Sequence, residues 1–251
     1  MRNRLVFSAI AALALSQTPN MGVAADAPAF VKAAVADTHR PQSDSDRDAA
    51  RLPEAMLGFS GIKPGDTVAE LIPAGGYATR LISAAVGPTG HVYSINLATL
   101  QQRIKDQIKP VTDDPAYANV SVSDQDFSQL KVPDRVDVVW TSQNYHDFKN
   151  PGMFFADTAA MNKAIFAALK PGGLYVIIDH VAETGSGARD TGTLHRIDPE
   201  LVKAEVTAAG FVLAGESKAL ANAEPHTARV PGQGGVGDKS DKFFFKFRKP
   251  R

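Results

Sequence analysis

Four short stretches hold the side chains able to do chemistry: Asn144, Tyr145, His146 and Asp147; Asp179 and His180; His195 and Arg196; and His226. The chain has no cysteine, so any nucleophile, base or ligand is a histidine, serine, tyrosine, lysine or carboxylate. A histidine of ordinary pKa, about 6.5, offers a neutral imidazole near pH 7 that takes a proton from a hydroxyl or ammonium group. His146 suits that role, with Asp147 or Asp179 to orient the ring, and Asp179 and His180 complete the candidate catalytic set. Tyr145, protonated at an ordinary pKa of about 10, is expected as a wall or a hydrogen-bond donor to the acceptor. Asp147, Asp179 and His180 can also be read as ligands for magnesium, manganese or zinc, but their spacing is not diagnostic and no metal is assigned.

These stretches need a scaffold that gathers them, and the rest of the sequence supplies one. AELIPAGGYATRL, residues 69–81, joins a β-branched, apolar run, TVAELI, to ATRLISAAV, whose Leu81, Ile82, Ala85 and Val86 fall at helix-face spacing. The Gly75-Gly76 pair therefore sits on a strand-to-helix turn, where unpaired backbone N–H groups and the helix dipole favour a carboxylate or phosphate. Further strands are expected over HVYSIN, NVSVSDQDF, RVDVVWTSQ, LYVIIDHV, FVLAGES and KFFFKF, with helices over LATLQQRIKDQI, from Phe154 to Leu169, and over DPELVKAEVTAAG. Alternating strands and helices give right-handed βαβ units. The expected fold is α/β, a Rossmann-like doubly wound seven-stranded sheet, mostly parallel. No helix separates FVLAGES from KFFFKF, so the last strand runs antiparallel. In such a sheet ligands bind outside the carboxyl ends of the strands, the edge where four of the six histidines fall. Trp140 and Val138 alternate within one strand and read as core. Ahead of the sheet, DRDAARLPEAMLGFSGI predicts a helix burying Leu52, Met56, Leu57 and Phe59, with Pro53 in its first turn. No core is legible in residues 26–46.

With AELIPAGGY, VYSIN, SDQDF, VVWTSQNYHDF and LKPGGLYVIID on these elements, the chain from Leu52 onward resembles class I S-adenosylmethionine-dependent methyltransferases. GIKPGDTVAELIPAGGYATR, NYHDF and DKFFFKFRKP resemble, more narrowly, a subgroup of predicted exported bacterial methyltransferases. The resemblance implies S-adenosylmethionine as cofactor. It implies binding by Glu70, by the loop Pro73, Ala74, Gly75, Gly76 and Tyr77, by Asn96, Asp126 and Phe127, and by Asn144. The chain departs from the family pattern at three places. Ile72 and Ala74 stand where glycines are usual, and Asn96 stands where an acid usually accepts both ribose hydroxyls, which implies weaker binding. Gly76→Val is expected to abolish binding and leave the fold intact.

The chain's 251 residues, 44% hydrophobic, suffice for one sizeable core. Its 27 basic and 27 acidic residues are interspersed, with net charge +0, which leaves no electrostatic footprint for nucleic acid. Arg2 and Arg4, an apolar run from Leu5 to Leu15 and small residues at Val23-Ala24-Ala25 have the layout of a secretory leader. The expected organisation is a signal peptide over 1–25, a helical and loop segment over 26–50, and a methyltransferase-like domain over 51–251, exported to the periplasm. No membrane span is expected once the leader is removed. The expected function is methyl transfer to a small-molecule acceptor. The alternative is an exported protein of the same fold that binds without catalysis. A nicotinamide oxidoreductase is disfavoured because no G-x-G-x-x-G follows the first strand, and a P-loop is excluded because Gly-Lys-Ser/Thr is missing.

Overall fold

A computed structural model describes residues 27–151, 154–230 and 236–251. The expected leader lies outside the described residues. Among these residues, no helix is long and apolar enough to cross a membrane. In chain order the elements are α1 (Ala29–Val35), α2 (Gln42–Ser45), α3 (Asp48–Arg51), α4 (Pro53–Ser60), β1 (Thr67–Leu71), α5 (Tyr77–Val86) and β2 (His91–Leu97). There follow α6 (Gln102–Lys105), α7 (Lys109–Thr112), β3 (Val120–Gln125), β4 (Val136–Ser142), α8 (Thr158–Ala168), β5 (Leu169–His180), α9 (Pro199–Ala208), β6 (Val212–Ser217) and β7 (Lys242–Arg248).

The strands form one seven-stranded sheet in the order β3-β2-β1-β4-β5-β7-β6. β1 pairs in parallel with both β2 and β4, and β7 runs antiparallel to β5 and β6. The chain winds outward from β1 in one direction and from β4 in the other. Their carboxyl ends therefore flank the point where the order reverses, which is where such sheets open a crevice. Alternating side chains supply a core on each face. On one face Val139, Tyr175, Ile177, Phe243, Phe245 and Phe247 pack with Met161 and Ile165 of α8 and Val202 of α9. On the other, Val138, Trp140, Val176, Ile178 and Phe244 pack with Met56 and Leu57 of α4 and Leu81 of α5. The aromatic run KFFFKF is thus a central strand that feeds both cores.

Several elements differ from expectation. The helix before the sheet is split: Leu52 takes a left-handed φ of 49°, Pro53 starts α4, and Leu52 is 41% exposed instead of buried. Residues 26–46 do contribute to a core, because Val31 and Ala34 of α1 are buried with Leu81 and Ile82 of α5. The helix over LATLQQRIKDQI is broken into α6, a 3-10 turn and α7, and α8 begins at Thr158, where Asp157 caps its first turn by accepting from the Ala159 and Ala160 amides.

Gly76 begins α5 with φ 81°, and a Cβ on it would lie 2.4 Å from Val111 Cγ2 and 3.1 Å from Ile108 Cδ1. This corrects the expectation that Gly76→Val spares the fold, since a valine there meets both a disfavoured backbone and a filled space. Chemical denaturation should find Gly76→Val destabilised by about 3 kcal/mol or more. A midpoint like the wild type's would contradict this placement.

Candidate active site

A cavity of about 750 Å³ opens at the carboxyl ends of β1 and β4. Glu70, Ile72, Pro73, Ala74, Gly75 and Tyr77 border it from the β1–α5 side, and Asn144, His146, Asp147, His180 and His195 from the other. Asp179 lies directly beneath the histidines.

The histidine cluster hangs on Asp179, which is fully buried at the end of β5. Its Oδ2 accepts from the His146 amide at 2.7 Å, and its Oδ1 from His146 Nδ1 and the His180 amide, each at 2.8 Å. His146 Nε2 then faces Asp147 Oδ1 at 3.2 Å and His195 Nδ1 at 3.3 Å. Burial alone would strip the proton from His146, but Asp179 and Asp147 override it and push the pKa up to about 10. This corrects the reading of His146 as the neutral base, because near pH 7 it is a cation with both ring nitrogens engaged.

His180 is the opposite case. Burial, with the charges of His146 and Lys242 next in weight, drives its pKa well below the usual value, so it is neutral. Ser240 Oγ donates to the Gly237 carbonyl at 2.8 Å and therefore accepts from His180 Nδ1, 2.6 Å away. That fixes the proton on Nδ1 and leaves Nε2 bare, without a partner among the described residues, on a side chain that borders the cavity. His195 reaches the cluster because Val181 and Ile197 form a parallel bridge that extends the end of β5. It adopts a left-handed φ of 54°, and Arg229 Nη2 donates to its Nε2 at 2.7 Å.

The remaining candidates divide clearly. Tyr145 is core rather than a cavity wall: its ring is fully buried beside Phe148 and its hydroxyl donates to Glu205 Oε2 at 2.8 Å. Arg196 ties loops together through the Val181 and Ala228 carbonyls and Glu224, and His226 pairs with Asp241. Gly76, Asn96, Asp126 and Phe127 do not border the cavity. Asp126 caps a short turn by accepting from the Ser128 amide at 2.9 Å, and Phe127 packs edge-on against Phe148. In their place Arg103, Ile104 and Gln107 border the β2 side.

The wall that the sequence did not reveal comes from the segment before the sheet. Ser43, Asp44, Arg47 and Arg51 border the cavity together with Asp238. Arg47 and Arg51 both donate to the Asp238 carboxylate, at 2.8 Å from each Nε, and the Arg51 guanidinium lies 4.5 Å over the Tyr77 ring. Two cations face one carboxylate here, which suits an anionic group of a ligand. A spacing signal did exist: like charges at i and i+4 repel on a helix unless something shared neutralises them.

The β1–α5 loop is held in an unusual shape. Ile72 and Ala74 have φ of 56° and 48°, a region natural to glycine and uncommon for a β-branched residue. The backbone thus curls as the usual glycines would, and the Ile72 side chain enters the core instead of filling the crevice alone. Arg80 pins the loop by donating to the Gly75 carbonyl and to Asp44, both at 3.0 Å. Glu70 closes the floor, its Oε2 accepting from Thr79 Oγ1 at 2.6 Å and Ser94 Oγ at 3.1 Å. Trp140 Nε1 and Ser142 Oγ are buried without a hydrogen-bond partner among the described residues, and both side chains border the cavity.

No protein-family model and no curated protein matches the chain. Solved structures do. An S-adenosylmethionine-dependent methyltransferase from Aquifex aeolicus aligns with TM-score 0.59 and 18% identity, over 86% of this chain and 96% of that one. A putative sarcosine dimethylglycine methyltransferase from Galdieria sulphuraria aligns with TM-score 0.56 and 15% identity, over 83% and 86%. An arsenic(III) S-adenosylmethionine methyltransferase from Chlamydomonas reinhardtii aligns with TM-score 0.56 and 15% identity, over 89% and 74%. At such identities the likeness defines the fold: this is the Rossmann-like architecture of class I methyltransferases.

Burial raises the Glu70 pKa from 4.5 to about 7, against the two hydroxyl donors that lower it. Between those values the folded protein keeps a proton that the unfolded chain has lost. Stability from this group is therefore full below about pH 4.5, falls as pH rises to about 7, and levels off, a loss of about 3 kcal/mol. Denaturation of wild type and Glu70→Gln across pH 4.5–8 should show the wild type losing stability relative to the variant over that interval. Parallel curves would refute the raised pKa.

Proposed function

We propose that the protein is an S-adenosylmethionine-dependent methyltransferase acting on a small molecule with a protic acceptor group. One observation carries this reading: in a methyltransferase-type sheet, a single cavity is bordered by the β1–α5 loop on one side and, on the other, by a neutral histidine whose Nε2 is bare.

The residues present fit the cofactor's methionine end. Glu70 at the cavity floor suits an ammonium group, which would draw its proton off, and Arg47 and Arg51 suit a carboxylate. Trp140 Nε1 and Ser142 Oγ are unsatisfied polar atoms that a ligand can satisfy. Arg103, Ile104 and Gln107 border the cavity on the β2 side, where they would hold the adenosine end. When bound, the cofactor supplies an electrophilic methyl group. Of this chain's residues, His180 takes the acceptor's proton on Nε2, with Ser240 fixing its tautomer. Asp179 holds the loop after β4 and the end of β5 in one register, so that His146, fixed as a cation, and His180 stay apart in role. The cavity walls position the acceptor, and most of the rate gain from alignment depends on that positioning.

Titration calorimetry with S-adenosylmethionine, and with NAD as the contrast, tests the reading. Only the former should bind, and at pH 6 its measured heat should vary with the buffer because Glu70 releases its proton. Gly75 borders the cavity, and a Cβ there meets nothing within 4 Å, so Gly75→Val should abolish binding while leaving the denaturation midpoint unchanged. Binding of NAD alone, or undiminished binding by Gly75→Val, would overturn the cofactor assignment. Once an acceptor is found, His180→Gln should lower turnover by about a hundred- to ten-thousand-fold with little change in cofactor affinity. Undiminished turnover would remove His180 from the proton transfer.

A further inference from the structure

We propose that His146, Asp147 and His195 form a binding site for a divalent transition metal, zinc by preference, at the cavity wall. The geometry points to it. His146 Nε2, His195 Nδ1 and Asp147 Oδ1 stand at the corners of a triangle with sides of 3.2, 3.3 and 3.5 Å. A tetrahedral ion with bonds of about 2.0–2.1 Å has ligand-to-ligand edges of about 3.3–3.4 Å. An octahedral magnesium site, with bonds of similar length, has edges near 3.0 Å and takes mostly oxygen ligands. The triangle therefore has the size and the donor atoms of a zinc site rather than a magnesium one. Among the described residues this is the one group of three or more histidines and acids close enough to share an ion.

The surroundings follow the pattern of such sites. His146 donates its other ring hydrogen to the buried Asp179 at 2.8 Å, which turns Nε2 toward the triangle and strengthens it as a ligand. Two imidazoles and one carboxylate form a three-ligand set that leaves a fourth position, as in hydrolytic zinc centres. All three residues border the cavity, so that position faces the space where an acceptor's oxygen or sulfur would enter. Arg229 opposes occupancy. It donates to His195 Nε2 at 2.7 Å, which places the ring's hydrogen on Nδ1, the atom that must bind the metal. Metal binding displaces the Nε2 proton of His146 to solvent and needs the other tautomer of His195, so the exposed Arg229 side chain must swing away.

The inference concerns metal binding and stands apart from methyl transfer, so its test uses the metal alone. The full chain, stripped with chelator, is titrated with zinc chloride by calorimetry, and cobalt(II) absorption reports coordination geometry. One equivalent should bind, with the intense visible bands of tetrahedral cobalt. His195→Ala and Asp147→Asn should each lose that equivalent with unchanged circular dichroism. His195 lies on a partly exposed loop, so its removal is not expected to disturb folding. Arg229→Ala should tighten binding several-fold. Absence of the equivalent in the wild type, its retention in both ligand variants, or octahedral cobalt bands would overturn the site. Weaker binding by Arg229→Ala would overturn the assignment of His195 Nδ1.

Discussion

Asp179 is a fully buried carboxylate whose oxygens accept from three N–H groups, two of them backbone amides and one the His146 ring. A charge taken out of water is costly unless it is surrounded by donors, and here the donors come from the loop after β4 and from β5 itself. The carboxylate can be satisfied only when the two strand ends are in register and the NYHD loop is folded over them. The positions of His146 and His180, and the division between one charged and one neutral ring, follow from it. At rest the charge sits on one of the two neighbouring imidazoles, and the acid decides which one.

The second constraint is the closure of the cavity by parts of the chain remote in sequence. Asp238, from the segment before β7, draws Arg47 and Arg51 together, and Tyr77 and Asp48 extend the network to the first turn of α5. Arg80 joins Asp44 to the Gly75 carbonyl. The β1–α5 loop, strained at Ile72 and Ala74, is therefore clamped from both ends. Strain of about 1–3 kcal/mol per residue persists only where neighbours over-determine the backbone, and these ion pairs, mostly buried, do that.

The seven strands, the mostly parallel sheet and the reversed last strand were legible because they rest on local signals: β-branched runs, turn residues, and a missing helix before KFFFKF. His146, Asp179 and His180 could be gathered because a parallel sheet puts every strand-to-helix loop on one edge. The protonation states could not, since they depend on which carboxylate lies under which ring. Asn96, Asp126 and Phe127 were assigned by resemblance; in the structure Asp126 caps a turn and Phe127 packs on Phe148, contacts that local sequence does not announce. The i,i+4 spacing of Arg47 and Arg51 hinted at a shared partner, but nothing local named Asp238, which lies 191 residues from Arg47 and 187 from Arg51. Leu52 was misjudged because Pro53 starts a new helix and turns the preceding residue outward.

The central claim is that Asp179 makes His146 a cation and leaves His180 neutral with a bare Nε2. Nitrogen-15 spectra of histidine-labelled protein at pH 7, stripped of metal with chelator, with assignments from His146→Gln and His180→Gln, read both states directly. The account predicts that both His146 nitrogens are protonated and that His180 carries its hydrogen on Nδ1 alone. A neutral His146, or a His180 protonated on Nε2, would contradict it.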